Sequence, residues 1–424
     1  MLLSLGIENF RSVKYPLLID FTSEKRLNED DLPYNTFIHN GNKVLKSIVL
    51  YGRNASGKSN IILALRALSF LIVNSDTFKH KEKIGPYEPF LFDANIKNEP
   101  VKLEVDFIGI ESKIRFKYKI AYSSLEITNE SLYFYPEGVS SKLYERVGQK
   151  ISYGDYYKGT KKKIENDLLP NQLFLSKSSS SKVKYLDEVY LYFSRYVYVS
   201  ILHDTEYDET IIRAFSELML NDDNLKINLL ELLRASDTSI IDFTIAENVN
   251  KIKFSEKFPE DAKKEILEKY KYEVLTSHSL FDNDNEIGNV SLKLEEESLG
   301  TKKLFALGSL IISTLEDGGV IVIDELDKGF HPLLTKLIIN LFHSKVNNPK
   351  NAQLIFTTHD STLLDTEIYR RDQICFVDKD YIGSTVLYKL SDIKGIRKDI
   401  PIDKWYLSGR FKAIPVITDV QLKF

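Results

Sequence analysis

The spacing of hydrophobic residues changes period several times along the chain. Leu2 to Phe10 reads as a strand, and the short apolar run Ile48-Val49-Leu50 inside Lys46 to Tyr51 reads as a second, buried one that ends in a glycine turn. From Lys58 the apolar residues Ile61, Ile62, Leu65, Leu68 and Phe70 recur at helical spacing. Between Val101 and Phe134 the period drops to two: Val101, Leu103, Val105, Phe107, then Ile114, Phe116, Tyr118, Ile120, then Leu132 and Phe134. That pattern predicts an antiparallel meander. Ser140 to Asp167 is polar and rich in lysine and tyrosine. From about Leu173 to Lys271 the pattern is mainly helical, with Leu186, Val189, Tyr190 and Phe193 as one face and Lys264 to Tyr272 as a charged, solvated helix. After Ser291 strand and helix alternate: helix Leu304 to Leu315, strand Val320 to Ile323, helix Leu333 to Phe342, strand Gln353 to Phe356, and strands Ile374 to Val377 and Thr385 to Tyr388.

These elements predict an α/β fold with a mixed sheet, an antiparallel β subdomain and a mainly helical insertion. The two parts of that α/β fold lie at 1–135 and 291–424, with the insertion at 136–290. A chain of 424 residues accommodates one large domain with an insertion, or two domains. Its 43% hydrophobic and 28% charged residues are ordinary for a globular protein. A net charge of -4 argues against binding nucleic acid through bulk charge; a local basic face stays possible but is not indicated. The single cysteine, Cys375, permits no intrachain disulfide and fits a reducing, cytoplasmic setting. No stretch approaches the roughly 20 apolar residues of a membrane span, and Glu8 and Arg11 follow too soon for a secretory leader, so no membrane partner is expected.

Candidate chemistry starts at Gly52-Arg53-Asn54-Ala55-Ser56-Gly57-Lys58-Ser59, which satisfies the eight-residue phosphate-loop pattern between a buried strand and a helix. Its glycines let successive N–H groups turn toward one anion, and the helix adds its positive end. Lys58 is expected on the β- and γ-phosphates of ATP and Ser59 on Mg²⁺. Val320-Ile321-Val322-Ile323-Asp324-Glu325 is an apolar strand that ends in two carboxylates. Asp324 is expected to hold Mg²⁺ with Ser59, and Glu325 to orient and polarise the attacking water. Asp327 follows where the ABC-type ATPases, which this order of motifs resembles, place the loop that crosses the dimer seam, and His331-Pro332 opens a helix, with proline at a tolerated early position. A further apolar strand, Leu354-Ile355-Phe356, leads through Thr357 and Thr358 to His359, which resembles the histidine that ABC-type ATPases place after the next core strand and so is implied to contact the γ-phosphate, with Asp360 and Ser361 as helix caps.

Glu297-Ser298-Leu299-Gly300-Thr301-Lys302-Lys303-Leu304 precedes the helix that leads into the acidic strand. The form G-x-N-x-S-G-K-S of the phosphate loop, and a serine-glycine segment at this place, resemble the ABC-type and SMC-like ATPases, although the usual double glycine is absent. The resemblance implies that Ser298, Gly300 and Thr301 cap the γ-phosphate held by a second protomer. ATP would then be shared across a head-to-tail pair, giving a homodimer or a higher even-numbered oligomer. Tyr87 and Phe90 in Gly85-Pro86-Tyr87-Glu88-Pro89-Phe90 are candidates to line the nucleotide, though core positions suit them better.

Further segments narrow the resemblance. They are Leu5-Gly6-Ile7-Glu8-Asn9-Phe10-Arg11-Ser12, Thr358-His359-Asp360, Arg371-Asp372-Gln373-Ile374 and Tyr406-Leu407-Ser408-Gly409-Arg410-Phe411. Together with the loop and the acidic pair, they resemble the ABC/SMC-related AAA-type ATP-binding proteins of bacterial defence operons, of the RloA or abortive-infection kind. The likeness covers both ends of the chain well and its middle weakly. It implies an ABC-type P-loop ATPase that senses or controls a separate effector protein from the same operon. Relatives of the OLD type carry a Toprim nuclease domain; residues 360–424 after His359 are too few for one, so no nuclease is expected here. The competing class is a DNA-repair or DNA-clamping ATPase of the RecF or SMC kind, which calls for a basic stripe or long heptads. The chain offers only the short clusters Lys161 to Lys163 and Lys182 to Lys184.

Overall fold

In the computed structural model, described for all residues except 26, 28–31, 180–182, 202–204, 237, 248–258, 398–399 and 415–424, two large sheets share one long helix. The first sheet runs edge to edge through Val197–Ile201, Val320–Asp324, Gln353–Thr357, Ser47–Tyr51, Ile374–Lys379 and Thr385–Lys389. Its first five strands are parallel and the last pairs antiparallel. A parallel sheet needs cover on both faces, and the alternation of side chains supplies it. Ile48, Leu50, Val320, Val322, Ile355, Cys375 and Val377 face one core. Val49, Tyr51, Ile321, Ile323, Leu354, Phe356, Ile374 and Phe376 face the other.

The second sheet is antiparallel, in the order Lys150–Tyr153, Ser141–Val147, Ile127–Tyr135, Arg115–Tyr122, Val101–Ile108, Leu2–Glu8, Leu17–Asp20. Between the sheets lies the helix Lys58–Asn74, with Ile61, Ile62, Leu65, Leu68 and Leu71 buried in the shared core. Gln353 joins the layers: its Oε1 accepts from Leu2 N at 2.5 Å while its Nε2 donates to Leu2 O and Leu45 O, each at 2.9 Å. The opposite face of the parallel sheet is covered by Leu299–Asp317 and Pro332–His343.

Two expectations need correction. The segment 136–290 contains the expected helices, among them Leu186–Arg195, Thr205–Met219, Asp223–Ala235 and Glu260–Lys269, but it is woven into both sheets. Ser141–Val147 pairs with Ile127–Tyr135, so a boundary at 135 cuts through the antiparallel sheet. Val197–Ile201 pairs in parallel with the acidic strand, Val197 opposite Val320. The helix Glu260–Lys269 stands where the charged, solvated helix was expected; the hairpin after it, Tyr272–Asp282 and Asn285–Lys293, lies within the segment expected to be mainly helical. Its second strand is exposed along its whole length, so no buried face marked it in the sequence. The second correction concerns apolar length. Lys58–Thr77 does reach the length and composition of a membrane span; here that apolar character serves contact with two sheets at once.

One buried ionic group ties the meander to the middle of the chain. Glu130 accepts at Oε1 from Tyr118 (2.9 Å), Tyr144 (2.7 Å) and Leu175 N (2.9 Å), and at Oε2 from Phe174 N (2.7 Å). Arg146 lies 3.6 Å from it and donates to the carbonyls of Gly148 and Gln172. Neither side chain reaches solvent. Removing one member of such a network leaves the other polar groups buried without partners. Glu130→Ala is expected to cost about 3–5 kcal/mol, measured as the loss in free energy of unfolding in denaturant; a loss below about 1 kcal/mol would show the group to be dispensable.

Candidate functional site

The carboxyl ends of the parallel strands meet at one edge, where Ile201 pairs with Asp324, Ile323 with Phe356, and Leu50 with Thr357. Ligands in open α/β sheets gather at this edge. The loop from Gly52 to Gly57 leaves it, and its shape explains its glycines. Gly57 takes φ 109° and caps the helix; a Cβ there would lie 2.1 Å from Thr385 Oγ1. A Cβ on Gly52 would lie 2.3 Å from Val377 O. Ala55 also adopts a left-handed φ of 61°. Asn54, Ala55 and Ser59 are exposed, whereas Ser56 and Lys58 are buried. Arg53 is anchored sideways by an ion pair to Asp378 at 3.0 Å.

The floor under the loop comes from three distant parts of the chain. Thr385 Oγ1 donates to Ser56 O at 2.9 Å and lies 2.7 Å from Ser12 Oγ. Asn60 Nδ2 donates to the same Ser12 Oγ at 2.7 Å, and Arg11 donates to Asn60 Oδ1 at 3.1 Å. Arg11 in turn pairs with Glu88 at 2.7 Å. Thr385 and Asn60 went unassigned in the sequence because their roles arise from neighbours far away in the chain. Tyr87 and Phe90 sit beside this floor as packing groups. Phe90 is fully buried, and Tyr87 donates to Glu99 O at 3.1 Å and meets the Tyr122 ring.

Lys58 Nζ donates to Gly52 O at 2.7 Å and Arg53 O at 3.3 Å. Burial lowers its amine to about 8, while Asp324, Glu325 and Asp327 act in the opposite direction. Asp324 is buried, and its Oδ1 accepts from Thr357 Oγ1 at 2.6 Å. The same Thr357 Oγ1 accepts from Glu325 N at 2.7 Å. One threonine hydroxyl therefore fixes both members of the acidic pair. Glu325 is held at φ 52°, an unfavourable left-handed backbone for a glutamate of the kind that clusters at functional sites. Its carboxylate lies 3.6 Å from Lys328 and is partly exposed.

His359 N donates to Asp327 Oδ2 at 3.4 Å. Burial and the nearby Lys58 hold the His359 imidazole below its ordinary range, against the pull of Asp327, Glu325 and Asp324. It is therefore neutral at pH 7 and can donate or accept a proton. Asp327, expected at a dimer seam, here turns toward the backbone of His359 in its own chain. Asp360 caps the short turn Ser361–Leu363 by accepting from Thr362 N at 2.9 Å. His331 Nδ1 accepts from Leu333 N at 3.2 Å, capping the helix that begins at Pro332.

Ser56 Oγ in the loop and Asp327 Oδ1 are among ten buried side-chain polar atoms of the described residues that make no hydrogen bond. At this strand-end edge, beside the buried Lys58 amine, these two atoms are available to a polar ligand. The site therefore combines a cradle of backbone N–H groups at a helix N-terminus, one buried ammonium, and carboxylates on the facing strand end. That arrangement can grip a polyphosphate and present a base to its terminal phosphorus.

Ser298, Gly300 and Thr301 form a separate cluster. Ser298 is the exposed N-cap of Leu299–Asp317, and its Oγ accepts from Thr301 N at 3.1 Å. Gly300 faces the loop after the acidic strand, where a Cβ would come 3.3 Å from Gly329 O. Lys303 donates to Lys328 O and lies over the Phe330 ring at 4.7 Å. Of the short basic clusters, Lys161 stacks on Tyr153 at 4.8 Å, and Lys182 lies outside the described residues.

A family model described as "AAA domain, putative AbiEii toxin, Type IV TA system" matches residues 47–158 and 160–365. No curated protein matches the chain. Among solved structures, the SMC head domain from Thermotoga maritima is 14% identical with a TM-score of 0.40, covering 92% of this chain and 98% of its own. The Smc head domain from Pyrococcus furiosus, with an extended coiled coil and bound to the C-terminal domain of ScpA, is 13% identical with a TM-score of 0.41, covering 92% and 97%.

The lowered Lys58 amine has a consequence for pH. As pH rises through about 8 the amine loses its proton, so the free loop's affinity for a polyphosphate falls. An NMR titration of labelled lysine side chains is expected to place Lys58 near 8 with a parallel loss of tripolyphosphate binding. A Lys58 midpoint above about 10, the ordinary lysine range, would contradict the burial argument.

Proposed function

The chain belongs to the AAA-domain family of the AbiEii type, whose match spans the phosphate loop, the acidic strand and His359, and from that premise we propose that it binds and hydrolyses ATP as a subunit of a bacterial abortive-infection defence system. The observation that carries this reading is the assembly of Lys58, Asp324, Glu325, Asp327 and His359 around one glycine-built loop, with the three carboxylates acting on both the Lys58 amine and the His359 imidazole. The family description refers to a toxin–antitoxin system, a two-component arrangement. That supports pairing with a separate effector protein, which the ATP-bound state would hold or release.

In this reading the N–H groups of residues 52–59 receive the phosphates. Lys58 exchanges its bonds to Gly52 O and Arg53 O for phosphate oxygens. Asp324 and Ser59 would hold Mg²⁺, which neutralises charge on the triphosphate when bound. The residues fit that ion: a buried carboxylate oriented by Thr357 and an exposed hydroxyl at the start of the phosphate-loop helix. Glu325 orients the attacking water and takes its proton as the new bond to the γ-phosphorus forms and the β–γ bridging bond breaks, giving ADP and phosphate. His359, neutral at pH 7, donates to the terminal phosphate. Ser298, Gly300 and Thr301, at an exposed helix N-terminus, serve the site of a second copy, so that two ATP molecules lie in a twofold dimer.

Glu325→Gln is expected to slow hydrolysis by about 10²–10⁴-fold and to leave an ATP-dependent dimer visible by sedimentation. Unchanged turnover would remove Glu325 from its role. For the shared site, Lys58→Ala and Ser298→Arg are each expected to be inactive alone and to regain activity when mixed, because one of the two composite sites is then intact. Persistent inactivity of the mixture, with both proteins folded, would sink the shared arrangement.

A further inference from the structure

The hairpin Tyr272–Asp282 and Asn285–Lys293 is the part of the surface that the nucleotide site leaves unused. Its register runs from Leu275 opposite Lys293 to Asp282 opposite Asn285. Asn283 and Asp284 make the turn with φ of 45° and 68°, the two left-handed residues that a tight two-residue hairpin requires. At its root Glu297 Oε1 accepts from Thr276 Oγ1 at 2.5 Å and meets His278 Nε2 at 2.7 Å, so the hairpin is held firmly beside Ser298.

Toward the tip it has no cover. Leu280, Val290 and Leu292 share one face, because His278 pairs with Val290, Thr276 with Leu292 and Leu280 with Gly288. With Phe281 and Ile287 at the end, these five side chains are between 38 and 61% exposed. Asn285–Lys293 is also an edge: it pairs with Tyr272–Asp282 on one side, and among the described residues no strand pairs with the other. Proteins usually blunt such an edge with lysines, proline or a bulge that turns it away. This strand has no proline, its one lysine, Lys293, sits at the root in an ion pair with Glu273 at 2.6 Å, and its register shift, between the pairs Leu280–Gly288 and Phe281–Glu286, is confined to the tip, so that Gly288 to Lys293 pairs without interruption. The surrounding charge is acidic: Asp282, Asp284 and Glu286 at the tip, Glu295 and Glu296 at the base.

We propose that the outer edge of Asn285–Lys293 is a docking strand for an extended segment of another protein that alternates apolar and basic residues. The segment adds a strand by main-chain hydrogen bonds, packs its apolar side chains on Leu280, Val290 and Leu292, and sets its basic side chains near Asp282, Asp284 and Glu286. The sign of the charge selects this occupant over a second copy of the hairpin: antiparallel pairing of two such edges would set the acidic tip of one, Asp282, Asp284 and Glu286, against the base of the other, where Glu295 and Glu296 stand. The inference rests on the hairpin alone, so its failure and that of the ATPase reading are separable.

The test uses the full chain without nucleotide and a short synthetic peptide alternating lysine and valine, with a glutamate–valine peptide as comparison. Fluorescence anisotropy is expected to show saturable binding of the first and none of the second, and hydrogen exchange to show new protection confined to residues 285–293. The variant Leu280→Thr, Ile287→Thr, Val290→Thr keeps strand-forming residues and the full charge. It is expected to bind roughly tenfold more weakly, with unchanged exchange in the unliganded hairpin. Equal binding by that variant would reduce the effect to bulk charge and overturn the proposal. So would protection elsewhere on the chain, or a nucleotide-independent self-association that the variant abolishes, since the edge would then belong to a second copy.

Discussion

The architecture rests on a parallel sheet buried on both faces. Its side chains have no freedom to be polar except at strand ends, where a carboxylate or an ammonium can still meet a ligand. Asp324 and Thr357 stand at such ends, and Gly52 begins the turn that follows Tyr51. The site chemistry is therefore a product of the packing: an apolar sheet collects its polar groups at one edge and holds them there in low dielectric. The same confinement depresses the Lys58 amine and keeps the His359 imidazole neutral.

Precision at that edge comes from hydroxyl groups more than from charges. Thr357 accepts from the Glu325 amide and donates to Asp324, so one hydroxyl ties the Asp324 carboxylate to the backbone that carries Glu325. Thr385 does the same under the loop, linking Ser56 to Ser12 and on to Asn60. Neutral donors of this kind carry no desolvated charge of their own. They fix geometry at a smaller cost than extra ion pairs would, and they leave the buried net charge to be completed by a ligand.

The middle of the chain is part of this scaffold. Val197–Ile201 lies against the acidic strand, and Ser141–Val147 extends the antiparallel sheet. The hairpin that closes this segment runs straight into Ser298 through the Glu297 anchor. Surface carried on the hairpin is thus physically continuous with the helix N-terminus proposed to reach a second protomer.

What the sequence determined by itself was local and contiguous. The residues from Gly52 to Ser59, the run ending at Asp324-Glu325, and the helix opened by His331-Pro332 are legible because each motif is completed within a few residues of chain. The antiparallel meander and the long helix after the loop were legible as well, since periods of two and 3.6 report a buried face. Only the tertiary structure decided what depends on distant partners: Thr385 and Asn60 beneath the loop, the turning of Asp327 toward His359, and the placing of Val197–Ile201 beside the acidic strand. The exposed hairpin escaped for a related reason. With no buried face on its second strand it leaves no hydrophobic period in the sequence, and its register is fixed by a turn and a neighbouring strand, contacts that exist only once the chain has folded.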